Sequence, residues 1–111
     1  MTAPAPATTR ARVLLYCRAD DAGDAGESRV VAAYHEISRN LAGTPGLLGN
    51  ELLRDVLDPA SFVVLSEWES LDAFRSWEDG SAHRGTTSPL RPYQDHSRGR
   101  PFGLYGVHAA Y

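Results

Sequence analysis

Along the chain the apolar positions switch between the two-residue period of a strand and the three-to-four-residue period of a helix. Arg12–Arg18 (RVLLYCR) is a short β-branched and aromatic run, and the acidic, glycine-containing stretch Asp20–Gly26 ends it, which predicts a strand and its loop. From Glu27 to Leu41, the residues Val30, Ala33, Tyr34, Ile37 and Leu41 line one stripe of an amphipathic helix, stopped by Gly43, Pro45 and Gly46. A second strand is expected over Leu47–Leu57, turn chemistry at Asp58–Ser61, and a third strand over Phe62–Trp68. So short a connection makes the pair an antiparallel hairpin. Ser70 is a good N-cap, Asp72 suits the first turn, and Gly80 is placed to end a helix whose Leu71, Phe74 and Trp77 share one face. After a loop or short helical turn containing Pro89 and Pro92, Arg100–His108 reads as a fourth strand.

The order β-α-β-β-α-β predicts a ferredoxin-like α+β fold, a four-stranded antiparallel sheet with both helices on one face. In the third strand Phe62, Val63, Val64 and Leu65 are all apolar, so both faces of the sheet are dry there, whereas two helices cover only one. A second copy of the same sheet is the economical cover, and the expectation is a homodimer. Residues 1–11, rich in Ala, Pro and Thr, are expected to be a disordered tail before a single domain over 12–111.

Composition then narrows the chemistry. All 11 basic residues among the 111 are Arg, and without Lys there is no Schiff base, no pyridoxal-phosphate attachment and no lysine-bearing phosphate loop. The single cysteine, Cys17, allows neither an internal disulfide nor a multi-cysteine zinc site. A net charge of -3 lacks the basic field that nucleic acid demands, so no nucleic-acid partner is expected. No apolar run is long enough for a signal-peptide core or a membrane span, and the expectation is a cytoplasmic protein with no membrane partner. No two of the four histidines have the HxH or HxxxH spacing of a metal site, and Gly43–Gly49 lacks the GxGxxG pattern of a dinucleotide loop.

The stretches PGLLGNELLRDV from Pro45, FVVLSEWES from Phe62, AFRSW from Ala73 and AHRGTTSPLRPY from Ala82 are similar to the antibiotic biosynthesis monooxygenase family of small dimeric α+β barrels. The resemblance runs from about Arg12 to the C-terminus and rests on short aromatic motifs. It implies one of several activities: cofactor-independent oxidation of anthrone-like polyketides, haem degradation, polyketide cyclisation, or a stress or signal-metabolite role. Trp68 matches the family's recurring tryptophan beside the pocket between sheet and helices. Trp77 stands nine residues later, where many members have His. Haem-degrading relatives use that histidine as iron ligand and add an asparagine on the first strand, where this chain has Tyr16 and Cys17. Indole has no lone pair for iron, so the resemblance implies no haem here. His83 matches another position where the family often has His.

A phenol or anthrone reacts with O2 without metal or flavin if the protein binds its anion, which requires an apolar slot, a proton acceptor and a partner for the oxyanion. Trp68, Phe74 and Trp77 are the candidates for the slot, His83 for the base, and Arg91 or Tyr93 for the developing charge. No cofactor is expected. Phe74 and Trp77 at helical spacing are more often core than ligand contacts, and Arg91 between two prolines serves equally in an ordinary salt bridge. His35 lies off the apolar stripe of its helix and is expected in solvent, His96 reads as a loop residue, and His108 either lines a pocket or closes a strand. If Asp58–Ser61 all lie in the turn, Leu57 pairs with Phe62 and Glu51 falls beside Trp68; a loop shorter by one residue puts Asn50 there and makes it a substrate-binding candidate. The leading expectation is a cofactor-independent monooxygenase acting on an aromatic polyketide or related phenolic metabolite, with O2 as co-substrate. A polyketide cyclase and a non-catalytic small-ligand-binding or stress-response dimer are the alternatives.

Overall fold

The computed structural model describes residues 6–21, 23–80 and 83–111, the side chains at 83 and 84 excepted. Its elements are β1 (Ala11–Arg18), α1 (Asp24–Leu41), β2 (Leu47–Arg54), β3 (Ser61–Trp68), α2 (Leu71–Glu78), α3 (His83–Thr87) continuing into a 3-10 turn (Ser88–Tyr93), and β4 (Phe102–Gly106). The strands form one antiparallel sheet in the order β2-β3-β1-β4, the ferredoxin-like α+β fold. No helix among the described residues is long and apolar enough to cross a membrane.

Two apolar clusters fix the helices on one face of the sheet. Val30, Ala33 and Ile37 of α1 pack with Cys17, Phe62, Val64 and Leu90, so the 3-10 turn closes the same core as α1. Leu71 and Phe74 of α2 pack with Ala11 and Trp68. Strand alternation leaves Leu14, Tyr16, Val63 and Leu65 on the opposite face, where no described helix lies.

The helix starts are chemically specified. α1 begins at Asp24, earlier than the apolar stripe suggests, because the Asp21 carboxylate accepts from the backbone N–H groups of Gly23 and Gly26. Arg29 reaches back from the second turn to Asp20 and Asp21 and holds the Asp20 carboxyl below its ordinary range. Ser70 caps α2 as expected, its Oγ accepting from the Ala73 N–H. Two further N–H groups of that helix end, on Leu71 and Asp72, donate to the carbonyls of Thr9 and Ala7. The segment expected as tail is therefore tied down from Ala7 onward, and Ala11, fully buried, already belongs to β1.

The hairpin register corrects both expected alternatives. Leu47, not Glu51 or Asn50, lies opposite Trp68, and Arg54 rather than Leu57 pairs with Phe62. The β2 strand stops at Arg54 because Asp55 and Asp58 fold the loop on themselves: Asp55 Oδ1 accepts from Leu57 N–H and Asp58 Oδ1 from Ala60 N–H. Val56 and Leu57 are left in solvent. A bulge between Leu47 and Gly49 then breaks the alternation of β2. Leu47 packs beside Trp68, and Asn50, at an even position, reaches the helix-covered face as well.

Gly46, in the turn entering β2, has φ +82° and lies so close to α2 that a Cβ would collide with that of Ala73. Gly43 has the same left-handed backbone (φ +81°) with open space around it. Gly46→Ala is expected to lower the unfolding free energy by about 1–3 kcal/mol in urea titrations, and Gly43→Ala by less. Equal losses would contradict the close approach of turn and helix.

Candidate active site

Between the helix-covered face of the sheet and the helices lies a cavity of about 350 Å³, within the usual range for small-molecule sites. Trp68, Phe74 and Trp77 make one wall. Their rings are 5.4 Å apart for Trp68 with either partner and 6.0 Å for Phe74 with Trp77, the Trp68–Phe74 pair meeting edge to face. Trp68 is 1% exposed and Trp77 half-buried. The indole N–H of Trp68 donates to Ser66 Oγ at 2.9 Å, which satisfies the one polar atom of that ring. Val13, Leu15, Ile37, Leu41 and Val64 supply aliphatic surface to the cavity.

The polar groups around the cavity are few. Asn50 and Ser66, register partners on β2 and β3, sit side by side on the sheet floor. Asn50 is held from α1 twice, by Tyr34 Oη donating to its backbone carbonyl (3.3 Å) and by Ser38 Oγ donating to its Oδ1 (3.1 Å). Tyr34 and Ser38 are one helical turn apart, which places both over β2. Glu78 at the end of α2, Thr87, Arg91 and Gln94 complete the rim.

Of the residues singled out in the sequence, Trp68, Phe74, Trp77, Arg91 and Asn50 come together around this cavity. Asn50 lies opposite Ser66, as the pairing of Arg54 with Phe62 sets it, rather than beside Trp68. Tyr93 packs instead, half-buried, against the core that holds Cys17 and Leu90, because the 3-10 turn carries it toward β1. His83 opens α3, and its side chain lies outside the described residues. His35, His96 and His108 are exposed. Ser66, Ser38, Glu78, Thr87 and Gln94 were missed by sequence reasoning. Ser66, two residues before Trp68, shares its face by strand alternation and could have been found that way; the others depend on tertiary placement.

The one thiol takes no part in this chemistry. Cys17 is fully buried in the core, and burial, with the Asp95 charge adding to it, pushes its pKa up to about 12. It is a thiol at neutral pH and inert as a nucleophile.

The sequence model of the antibiotic biosynthesis monooxygenase family matches residues 23–87, more than half of the chain. Protein SchA of Streptomyces halstedii is 32% identical over 77% of this chain and 22% of its own length. The 42.8 kDa protein of the whiE locus of Streptomyces coelicolor is 30% identical over 74% of this chain and 20% of its own. The chain thus spans about a fifth of these two relatives. A mycobilin-producing heme oxygenase of Mycobacterium tuberculosis is 36% identical over 58% of this chain and 60% of that protein. Among solved structures, SnoaB from Streptomyces nogalater, a cofactor-independent oxygenase, superposes with a TM-score of 0.71 at 18% identity, covering 92% of this chain and 96% of SnoaB. At that identity the likeness carries the fold alone.

Among the described side chains lining this cavity none is a haem ligand. Haem iron takes an axial imidazole, thiolate, thioether or phenolate, and the described lining residues include no His, Cys, Met or Tyr. Among the described residues no cluster of three His, Cys, Asp or Glu side chains could hold a metal ion. Titration of the protein with hemin is expected to give no ligand-shifted Soret band, whereas Trp77→His, which puts an imidazole on the cavity wall, is expected to produce one. A shifted band of equal strength in the unaltered protein would contradict this reading of the wall.

Proposed function

Because this chain belongs to the antibiotic biosynthesis monooxygenase family, we propose that it is a cofactor-independent monooxygenase oxidising an aromatic polyketide or related phenolic metabolite. The observation that carries the reading is the cavity itself: three aromatic rings on one wall, aliphatic surface opposite, and a handful of hydrogen-bonding groups. Flat aromatic ligands suit such walls, and hydrogen-bond donors suit the oxygen that gains charge as the substrate ionises.

The chemistry balances with O2 alone. Loss of one proton from an anthrone methylene gives the anion, which transfers an electron to O2; recombination of the two radicals forms the C–O bond of a peroxide. Protonation of the peroxide, removal of the second C–H proton and scission of the O–O bond leave a carbonyl and water. CH2 and O2 become C=O and H2O, and the substrate supplies every electron. The protein has to bind the flat ring, accept a proton and stabilise the anion. Trp68, Phe74 and Trp77 take the first task, Arg91 at the rim supports the last, and the proton acceptor is assigned to the α2–α3 end of the cavity. Glu78 lines that end and His83 opens α3.

Oxygen-electrode measurements on chelator-treated protein with 1,8-dihydroxyanthrone are expected to show uptake of one O2 per anthrone, well above the buffer rate. Glu78→Gln or His83→Gln is expected to lower kcat by about 10²-fold or more, as loss of a positioned base does. Absence of uptake would overturn the monooxygenase reading. Turnover of a linear polyketide under nitrogen would replace it with a cyclase, and tight binding with neither reaction would replace it with a sequestering protein.

The reading includes a homodimer formed through the open sheet face. Val63 and Leu65 there are half-buried by their own strand neighbours, and Leu53 and Tyr105 on the same face are exposed. Sedimentation equilibrium is expected to give twice the 12.1 kDa chain mass, and Leu65→Asp to give the monomer. A monomeric unaltered protein would contradict this assignment.

A further inference from the structure

Two hydrogen bonds set the polarity of the cavity floor. Ser38 Oγ donates to Asn50 Oδ1 (3.1 Å), which turns the Asn50 amide so that its Nδ2 amine is the end left unengaged. Trp68 Nε1 donates to Ser66 Oγ (2.9 Å), which occupies that oxygen as an acceptor and leaves its O–H. Among the described residues neither the Asn50 amine nor the Ser66 O–H has a hydrogen-bond partner. Both residues line the cavity, and as register partners on adjacent strands their Cβ atoms stand about 5 Å apart. Two donors at that spacing match the two lone pairs of one oxygen, or one oxygen each of a pair.

The arrangement is held on every side. Tyr34 donates to the backbone carbonyl of Asn50 and fixes the strand beneath the side chain. Trp68 is buried and cannot release its N–H without leaving it unpaired. The regular ladder from Arg54–Phe62 to Asn50–Ser66 sets Asn50 on this face.

We propose that Asn50 and Ser66 form a donor subsite that selects aromatic ligands by an acceptor oxygen, a ring carbonyl or phenolate, with Ser38 as the positioning residue that fixes which end of the Asn50 amide meets the ligand. The proposal rests on the cavity being the ligand site and not on its oxygen chemistry. A ligand with no acceptor there leaves two donors without water or protein partners, and that loss, not a gain in apolar contact, is the source of selectivity.

Binding is read without oxygen by quenching of the Trp68 and Trp77 fluorescence, with anthrone and with 9,10-dihydroanthracene, in which a methylene replaces the ring carbonyl. The unaltered protein is expected to bind anthrone about tenfold or more tightly than dihydroanthracene. Asn50→Leu and Asn50→Asp are expected to reduce the preference and Asn50→Leu/Ser66→Ala to abolish it, with dihydroanthracene still bound as the sign of a formed cavity. Ser38→Ala is expected to reduce the preference and Ser38→Thr, which keeps the hydroxyl, to retain it. Equal binding of the two ligands by the unaltered protein, or a preference that survives in Asn50→Leu/Ser66→Ala, would overturn the subsite while leaving the cavity as ligand site. Binding of neither ligand would overturn both.

Discussion

A buried indole cannot leave its N–H unpaired at small cost, and the rest of the site is arranged around how Trp68 meets that requirement. Its partner is Ser66, two residues earlier on the same face of β3, so the ring lies along its own strand and presents a flat surface to the cavity. Phe74 of α2 meets that ring edge to face, and Trp77 meets it at a tilt. The position of α2 is set in turn by Ser70, which caps it, and by the carbonyls of Ala7 and Thr9, which take two more of its free N–H groups. Wall, floor and helix end are thereby one connected structure, and a change in Trp68 is felt in all three.

What the sequence made legible is what local physics decides. The helical stripe of α1, the Ser70 cap, the glycine-rich turn into β2 and the aromatic face of α2 follow from spacing and residue type, and each stands where it was expected. Trp68, Phe74 and Trp77 meet at one cavity because strand parity and helical period placed them on facing surfaces, and the 3-10 turn brings Arg91 to it. The hairpin register was not legible. It depends on a loop that Asp55 and Asp58 lengthen by bonding to their own backbone, and on a bulge with no strong signature beyond Gly49. Asn50 was a candidate for the wrong pairing and reaches the cavity by another. Tyr93 depended on the path of the 3-10 turn, which two prolines shape but do not direct.

The residue at position 77 bears on which chemistry the aromatic wall can support. A histidine at position 77 would offer iron a ligand; tryptophan offers a third ring and closes the aromatic wall. With no lysine in the chain and its one thiol sealed in the core, the polar work falls to amide, hydroxyl, carboxylate, guanidinium and imidazole groups. These groups hydrogen-bond and carry charge, and the proposed oxidation, whose substrate supplies its own electrons, asks for no more.

If a flat aromatic ligand binds between the Trp68 wall and the Asn50–Ser66 floor, a crystal of the protein soaked under nitrogen with 1,8-dihydroxyanthrone is expected to show the ring system against Trp68 and Trp77, with its carbonyl oxygen within hydrogen-bond distance of Asn50 Nδ2 and Ser66 Oγ. Density for the ligand on the open face of the sheet, or in the cavity with its oxygens turned away from that floor, would contradict that placement.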